Sequence, residues 1–341
     1  MIIFTISNSA GGMYSLMKTI VSMSFAALIL AIFFIVPYPV VYADSSACHG
    51  NFKEVIILVP KSTASVPFLI LKEKNPLNKN VDIRVDTFIN HAKALAMLLR
   101  GEIQFLFTGT SQGWENRKSG GPLIMIDTGV WGVSYMIGRD SSLNNFSKLK
   151  HKRIALPFPN SPLDFQTRYI LIKRGINPDK DIRISYGPFS QTIPRLLKNQ
   201  LDAAPLPEPL ATSMVKQHGL IRLIDYKKAW ALVSGGTEAS PQVSLFTTDN
   251  IASEYPKLIK KLVAAWKNAS VYVQKNPSEA AKKSTAILSM PSDIVETAIR
   301  NTYYSVPSLG DNRKMVKTYF SQLKNLFGDR IGEPDNDFFF K

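Results

Sequence analysis

The chain has 341 residues, a formal net charge of +15 and 45% hydrophobic residues, with one cysteine, Cys48. A single cysteine excludes an intrachain disulfide, so the fold depends on buried apolar surface. The lysines are spread along the chain in pairs and are not interleaved with aromatic residues. This pattern is typical of a solvated surface and argues against a nucleic-acid-binding face.

The N-terminal segment predicts export from the cytoplasm. Residues 1–43 contain one charge, Lys18, then an apolar run from Thr19 to Val36, two prolines and a final Val41-Tyr42-Ala43. This order is the layout of a cleaved signal peptide. Two alternatives stay open: the run has about the length of a membrane anchor, and Cys48 is a candidate site for a lipid anchor. Export without disulfides indicates a protein of the bacterial envelope.

Two consecutive parts of the chain resemble each other, at a domain-sized spacing of about 98 residues. In each part an apolar strand, a loop, a helix, a strand, a second helix and a third strand follow in the same order. Leu58 corresponds to Leu156, and the segment Asp82–Val85 corresponds to Asp181–Ile184. We therefore predict an α/β protein of two similar lobes, each a mainly parallel sheet flanked by helices, with a cleft between them.

The elements of the first lobe follow from alternating apolar strands and amphipathic helices. A first helix carries Pro67 in its first turn, where a missing N–H costs little, and Gly101 ends the second helix. The last strand continues as the crossover into the second lobe. The predicted strands are Val55–Val59, Asp82–Phe88, Gln104–Thr108, Leu123–Ile126 and Val130–Ile137, and the second helix is Ala92–Arg100.

The second lobe repeats this plan, with Gly175 and Asn199 at its helix ends, and the strand Gln242–Thr247 returns the chain to the first lobe. Its predicted elements are Arg153–Leu156, Pro162–Arg174, Asp181–Tyr186, Thr192–Lys198 and Leu201–Ala204. Four C-terminal helices then brace the first lobe: Tyr255–Lys275, Ser278–Leu288, Ser292–Tyr303 and Asp311–Phe327. The predicted boundaries are 1–43 for the leader, 44–134 for the first part of lobe one, 135–236 for lobe two and 237–341 for the return.

Several stretches resemble the solute-binding proteins of ABC importers, in the NMT1-like group that includes nitrate, sulfonate, taurine and thiamine-precursor binders. The most specific stretch runs from Leu149 to Pro209, and it includes Leu201-Asp202-Ala203-Ala204 and Glu208-Pro209. The family usually has Asp where this chain has Gln104, and Gly where it has His151. The resemblance implies a two-lobe periplasmic-binding-protein fold of type II, a small-molecule solute and an ABC permease as partners, and a periplasmic monomer.

Ligands of open α/β sheets bind beyond the carboxyl ends of the strands, where helix N-termini offer free N–H groups. Ser65 and Ser161 each have two interpretations, as ligand contacts or as helix caps. Trp131 either stacks on a solute or belongs to the core, and Glu208 serves either ligand or hinge hydrogen bonding or a structural ion pair. The predicted ligand-binding residues are Ser62, Thr63, Ser65, Thr110, Ser111, Trp131, Asn160, Ser161 and Glu208.

Catalysis finds little support in the sequence. It contains no Gly-x-Ser-x-Gly elbow and no P-loop, and its four histidines stand apart from one another. We therefore expect no enzymatic activity, no metal and no cofactor. The predicted function is capture of a small organic solute, sulfonate-like or heterocyclic, for an ABC permease. The alternatives are an exported hydrolase and a sensory or lipid-trafficking adaptor with the same fold.

Overall fold

Strands and helices alternate through two sheets before the chain ends in helices. The computed structural model describes residues 53–74, 81–235 and 240–341, which belong to one compact unit, Phe52–Lys341. The predicted signal peptide and Cys48 lie outside the described residues. Within them, no helix combines the length and the apolar character that crossing a bilayer requires.

The predicted strands and helices occur in the predicted order, and the described residues also contain four helices that were not predicted: Thr110–Lys118, Leu210–His218, Tyr226–Ala231 and Asp249–Glu254. The strands are β1 (Glu54–Pro60), β2 (Asp82–Phe88), β3 (Phe105–Gly109), β4 (Leu123–Gly132), β5 (Ser134–Gly138), β6 (Arg153–Leu156), β7 (Arg183–Tyr186), β8 (Ala203–Pro207), β9 (Ile221–Asp225), β10 (Val243–Thr248) and β11 (Tyr303–Tyr304). The helices are α1 (Val66–Lys74), α2 (His91–Leu99), α3 (Thr110–Lys118), α4 (Pro162–Lys173), α5 (Phe189–Leu197), α6 (Leu210–His218), α7 (Tyr226–Ala231), α8 (Asp249–Glu254), α9 (Pro256–Lys275), α10 (Pro277–Leu288), α11 (Ser292–Arg300) and α12 (Leu309–Phe327).

The two sheets are built on the same plan, which confirms the predicted two-lobe α/β fold. The sheet of lobe one has the order β11-β4-β10-β3-β1-β2, and the sheet of lobe two has the order β7-β6-β8-β5-β9. In both, the first strand lies between the second and the third, and these pairs are parallel. Each lobe then receives one antiparallel strand from the other half of the chain, since β10 pairs with β3 and β5 pairs with β8.

The same hydrogen bonds recur at the start of the third strand of each lobe. Gln104 donates its backbone N–H to the carbonyl of Ile56 at 3.2 Å, and its side-chain Oε1 accepts the N–H of Ile56 at 2.9 Å. Asp202 makes the same two contacts with Arg153, at 2.9 Å and 2.7 Å. A glutamine in lobe one and an aspartate in lobe two therefore fix the first strand beside the third through the same two contacts.

Residues in the left-handed region of backbone conformation end the predicted helices. Gly101, Gly175 and Asn199 have φ values of 74°, 73° and 56°. His151 has a φ of 63°, the conformation for which glycine carries no Cβ penalty. A glycine at this position would adopt the conformation without that penalty, and this chain adopts it with histidine.

The first crossover between the lobes differs from the prediction in one respect. We expected two strands, Leu123–Ile126 and Val130–Ile137, but β4 is continuous from Leu123 to Gly132 and the break falls at Val133. Asp127 and Thr128, which lie between the two predicted strands, are buried within β4, and β4 pairs with β10 through two register shifts.

The C-terminal helices attach mainly to lobe one through an aromatic group in α9. Trp266 stacks on Phe68 of α1 at a centroid distance of 4.8 Å and meets Phe107 edge-on at 5.4 Å. Gly129 lets this ring approach β4, since a Cβ there would lie 2.0 Å from the indole. The last helix, α12, contacts both β4 of lobe one and α4 of lobe two.

The end of the chain corrects an expectation from the sequence. The sequence predicts little for residues 335–341 to pack against and leaves Phe338-Phe339-Phe340 unexplained, but the structure buries all three phenylalanines, with exposed fractions of 0%, 3% and 5%. Phe340 donates its N–H to the carbonyl of Met125 in β4 at 2.8 Å. The Phe338 ring lies 5.3 Å from Trp114. These contacts are far apart in sequence, so no local pattern reveals them.

Candidate functional site

The carboxyl ends of the central strands of the two lobes lead to a shared contact. Lobe one contributes Gly109 at the end of β3 and the first turn of α3, and lobe two contributes the loop after β6 and the first turn of α4. A Cβ on Gly109 would lie 3.1 Å from Cγ of Pro162. The segment after β3 and the start of α4, whose residues were predicted to line a cleft, therefore lie next to each other.

Ser111 forms a hydrogen bond across this contact. Its hydroxyl donates to the backbone carbonyl of Asn160 at 3.1 Å. Asn160 is exposed and has a left-handed φ of 61°, which presents that carbonyl outside the turn. These two predicted site residues are thus brought together, and they join lobe one directly to lobe two.

Ser161 and Asp164 complete the first turn of α4 in the manner of a reciprocal cap. The Ser161 hydroxyl accepts the N–H of Asp164 at 3.1 Å, and an Asp164 carboxylate oxygen accepts the N–H of Asn160 at 2.8 Å. The other carboxylate oxygen accepts from Arg168 and from Tyr186, both at 2.9 Å. A negative side chain of the protein itself therefore already lies at this helix N-terminus.

Thr110 belongs to a row of buried hydroxyl groups below the contact. Its hydroxyl lies 2.7 Å from that of Ser244, which lies 2.9 Å from the hydroxyl of Thr128. The Thr110 N–H also donates to the carbonyl of Gln242 at 3.2 Å. These contacts connect the start of α3 to β4 and β10.

Four polar residues beside this contact were not predicted to belong to the site. Gln166 of α4 donates its amide to the Ser240 hydroxyl, and Gln242 donates to the same oxygen at 3.2 Å. The side-chain carbonyl oxygens of Gln112 and Gln166 are buried and have no hydrogen-bond partner in the described structure. We call Gln112, Gln166, Ser240 and Gln242 the amide group. They come from three separate segments, so the only sequence clue was the proximity of Gln112 and Gln166 to the starts of α3 and α4.

The loop after β1 lies at the crossover rather than at this contact. The Thr63 hydroxyl lies 2.8 Å from that of Thr302 and 3.3 Å from the carbonyl of Glu208. Ser65 donates to the carbonyl of Pro60, and Ser62 is half-buried with no cap bond from its side chain. The described contacts of Thr63 and Ser65 are with the protein's own backbone and hydroxyl groups, and a solute contact for these three stays a prediction.

Trp131 lies within the apolar packing of the crossover. It is 1% exposed, and its indole N–H donates to the carbonyl of Ser305 at 2.9 Å. A second tryptophan, Trp230 of lobe two, lies between Tyr169 and Tyr319 at centroid distances of 4.6 Å and 5.1 Å. Because Tyr319 belongs to α12, this aromatic set joins the lobes on another part of their contact.

Glu208 forms an ion pair at the end of β8. Its carboxylate is fully buried and accepts from Arg222 at 2.5 Å and from the N–H of Thr212 at 3.0 Å. Burial raises the pKa of Glu208, and the charge of Arg222 opposes that rise. Its backbone N–H donates to the carbonyl of Val133 at 2.8 Å, so Glu208 lies where the chain crosses between the lobes.

The described residues contain no group of three or more His, Cys, Asp or Glu side chains that could hold a metal. Residues 117–289 match the model of the NMT1-like family. The chain belongs to the NMT1-like family. No curated protein matches it in sequence.

Solved structures place this NMT1-like chain among proteins of the periplasmic-binding-protein fold. The ligand-binding component of an ABC-type import system from Staphylococcus aureus, with zinc bound, has a TM-score of 0.67 at 11% identity, covering 85% of this chain and 96% of its own. The alkanesulfonate-binding protein SsuA from Xanthomonas axonopodis pv. citri, bound to MOPS, has a TM-score of 0.66 at 16% identity, with 84% and 96% covered. The nitrate-binding protein NrtA from Synechocystis PCC 6803 has a TM-score of 0.63 at 16% identity, with 79% and 81% covered.

Proposed function

We propose that the chain is an exported, non-enzymatic solute-binding protein of the periplasm. It captures a small organic solute between its lobes as a monomer and delivers it to an ABC permease of the inner membrane. The proposal combines the NMT1-like family with structural neighbours that are named as binding components of import systems. Those neighbours carry chemically different ligands, so the solute of this chain has to be argued from its own residues.

The observation that carries the proposal is the hydrogen bond from Ser111 to the carbonyl of Asn160. It joins the carboxyl-end edges of the two sheets, the edges where solutes of open α/β folds bind. The amide group lies beside it, with two buried carbonyl oxygens that lack partners. Unpaired buried polar atoms are unfavourable by about 1–3 kcal/mol each, so a solute that supplies N–H or O–H donors to them is stabilised here.

The charges at the two helix ends support one orientation of the solute. Asp164 already places a carboxylate at the start of α4, whereas the first turn of α3 carries no acidic residue. An anionic group of the solute is therefore more stable beside α3 than beside α4, and its hydrogen-bond donors lie toward the carbonyl oxygens of Gln112 and Gln166. A sulfonate or carboxylate attached to a ring or chain with N–H groups fits this arrangement, as does a neutral heterocycle with such groups.

A thermal-shift screen followed by calorimetry tests the proposal. The panel contains sulfonates, nitrate, pyrimidines and aromatic acids, because a solute at 100 times its Kd adds about 2.7 kcal/mol to the free energy of unfolding. For the best hit, Ser111→Ala and Gln166→Ala should each weaken binding roughly three- to tenfold, the value of one neutral hydrogen bond. Ser253→Ala is the matched control, since Ser253 is an exposed serine on α8.

The result that contradicts the site is a tight solute whose affinity is unchanged in Ser111→Ala and in Gln166→Ala. The predicted residues Thr110, Trp131 and Ser161 are then tested in the same way by substitution with alanine. Small-angle X-ray scattering provides an independent test, in which the radius of gyration should fall when the solute is added. Capture between lobes requires the solute to favour the closed form by differential contacts.

A further inference from the structure

The longest helix among the described residues, α9, carries a basic face. Over Pro256–Lys275 it contains five lysines and no acidic residue. All five are exposed, and none forms a salt bridge within the described residues. We call them the α9 lysines: Lys257, Lys260, Lys261, Lys267 and Lys275. The nearest acidic residues along the chain, Glu254 and Glu279, lie beyond the two ends of the helix.

The buried side of α9 determines that these lysines point outward. Ile259, Leu262, Trp266 and Val273 are at most 1% exposed. Because Trp266 is stacked on Phe68, the helix has one rotation about its axis that keeps this side inside. From Lys257 to Lys275 the opposite side extends over about 27 Å, at 1.5 Å per residue.

A small cavity opens beside the same face. It has a volume of about 280 Å³, and its polar lining includes Lys267, Ser270 and Ser305. The Ser270 hydroxyl is buried and has no hydrogen-bond partner among the described residues. At the rim, the Lys227 ammonium lies 3.9 Å from the centre of the Tyr303 ring. A phosphate oxygen is the kind of acceptor that an ammonium and a free hydroxyl bind together.

We propose that the α9 lysines dock the protein on an anionic phospholipid bilayer, with a headgroup phosphate in the cavity beside Ser270. Lysine is a hydrated point charge that suits diffuse attraction, whereas recognition of a defined carboxylate or phosphate usually employs arginine. An exposed lysine face about 27 Å long fits an extended charged surface better than it fits an acidic peptide. This docking is a property beyond solute capture, and it does not depend on the identity of the solute.

Co-sedimentation with vesicles tests the docking surface. The assay uses residues 44–341, which retain the whole compact unit Phe52–Lys341, so the apolar N-terminal run cannot bind lipid. Vesicles of pure phosphatidylcholine are compared with vesicles that contain phosphatidylglycerol, in 50 mM and 500 mM salt. We expect binding to the anionic vesicles in low salt and its loss in high salt, because high salt shortens the screening length to a few ångströms.

Two charge-matched variants separate the α9 face from net charge. The first changes Lys257, Lys260, Lys261 and Lys275 to glutamine. The second makes the same change at four exposed lysines of lobe two: Lys148, Lys173, Lys180 and Lys198. Each lysine near an anionic surface contributes about a fivefold factor in partitioning. The α9 variant should therefore bind a few hundredfold more weakly, and the lobe-two variant should bind nearly as well as the wild type.

Three outcomes overturn the proposal. One is equal loss of binding in both variants, which would assign the attraction to total charge. Another is the absence of anionic-vesicle binding in the wild type. The third is binding of a polyglutamate peptide that the α9 variant loses, with no binding of vesicles by either protein, which would assign the face to an acidic protein segment.

Discussion

Replacing Arg222 with methionine should destabilise the protein through the carboxylate of Glu208. Glu208 is fully buried, and Arg222 donates to it at 2.5 Å while lying 4.3 Å from the centre of the Tyr135 ring. In Arg222→Met the carboxylate keeps the N–H of Thr212 but loses its charge partner. Removing one partner of a buried pair typically lowers the free energy of unfolding by 3–5 kcal/mol, and we expect a value in that range at pH 7.

Urea denaturation followed by circular dichroism measures this loss. The double variant Glu208→Gln with Arg222→Met should recover part of it, because it removes the unpaired charge. Arg153→Met is the matched control: Arg153 also forms a 2.7 Å pair, with Asp202, but the side chains are 41% and 25% exposed, so the loss should be clearly smaller.

The pH dependence provides a second measurement on the same variants. Burial already raises the pKa of Glu208, and removing Arg222 raises that pKa further. When the pKa of a carboxyl group is higher in the folded state than in the unfolded state, the free energy of unfolding falls as the pH rises from the unfolded-state pKa to the folded-state pKa. The deficit of Arg222→Met should therefore shrink as the pH falls toward 4. A loss below about 1 kcal/mol at pH 7, or a double variant no more stable than Arg222→Met, would refute the reasoning.

Two further predictions concern buried groups of lobe one. Burial raises the pKa of Asp127 to about 8, so relative to Asp127→Asn the wild type should lose about 5 kcal/mol of stability between pH 4 and pH 8. Denaturation across this range measures the difference, and a difference independent of pH would contradict it. Deleting residues 336–341, which exposes the pocket of Phe338, Phe339 and Phe340, should lower the free energy of unfolding by roughly 6 kcal/mol. Deletion of Lys341 alone is the control, and an unchanged urea midpoint would exclude the packing role.

The sequence predicts those elements whose apolar residues follow a regular period. β2 and β6 were predicted to the residue, and Gly101, Gly175 and Asn199 end their helices in the expected conformation. Helix α3 was not predicted, because its buried side consists of Thr110, Ser111, Gly113 and Trp114, which form no apolar stripe. The burial of the C-terminal phenylalanines was not predicted, because their partners lie about 200 residues earlier in the chain.

The candidate site likewise contains residues that a local rule predicts and residues that only the fold brings together. Ser111 and Asn160 follow from the rule that solutes bind beyond the carboxyl ends of strands. The amide group could not be predicted, because Gln166, Ser240 and Gln242 meet only after the chain has crossed between the lobes twice. A strand pattern also does not distinguish the two tryptophans, because Trp131 and Trp230 are equally hidden from solvent.

The lobes meet through two zones that differ in the free energy needed to separate them. The polar zone holds the hydrogen bond of Ser111 with Asn160, and a neutral bond of this kind contributes about 1 kcal/mol after exchange with water. The aromatic zone holds Trp230 between Tyr169 and Tyr319, and exposing one large side chain costs about 2–3 kcal/mol. Separating the lobes at the polar zone therefore costs less free energy than separating them at the aromatic zone. A solute that replaces the bond of Ser111 and also satisfies the free carbonyl oxygens of Gln112 and Gln166 favours the closed form for a physical reason.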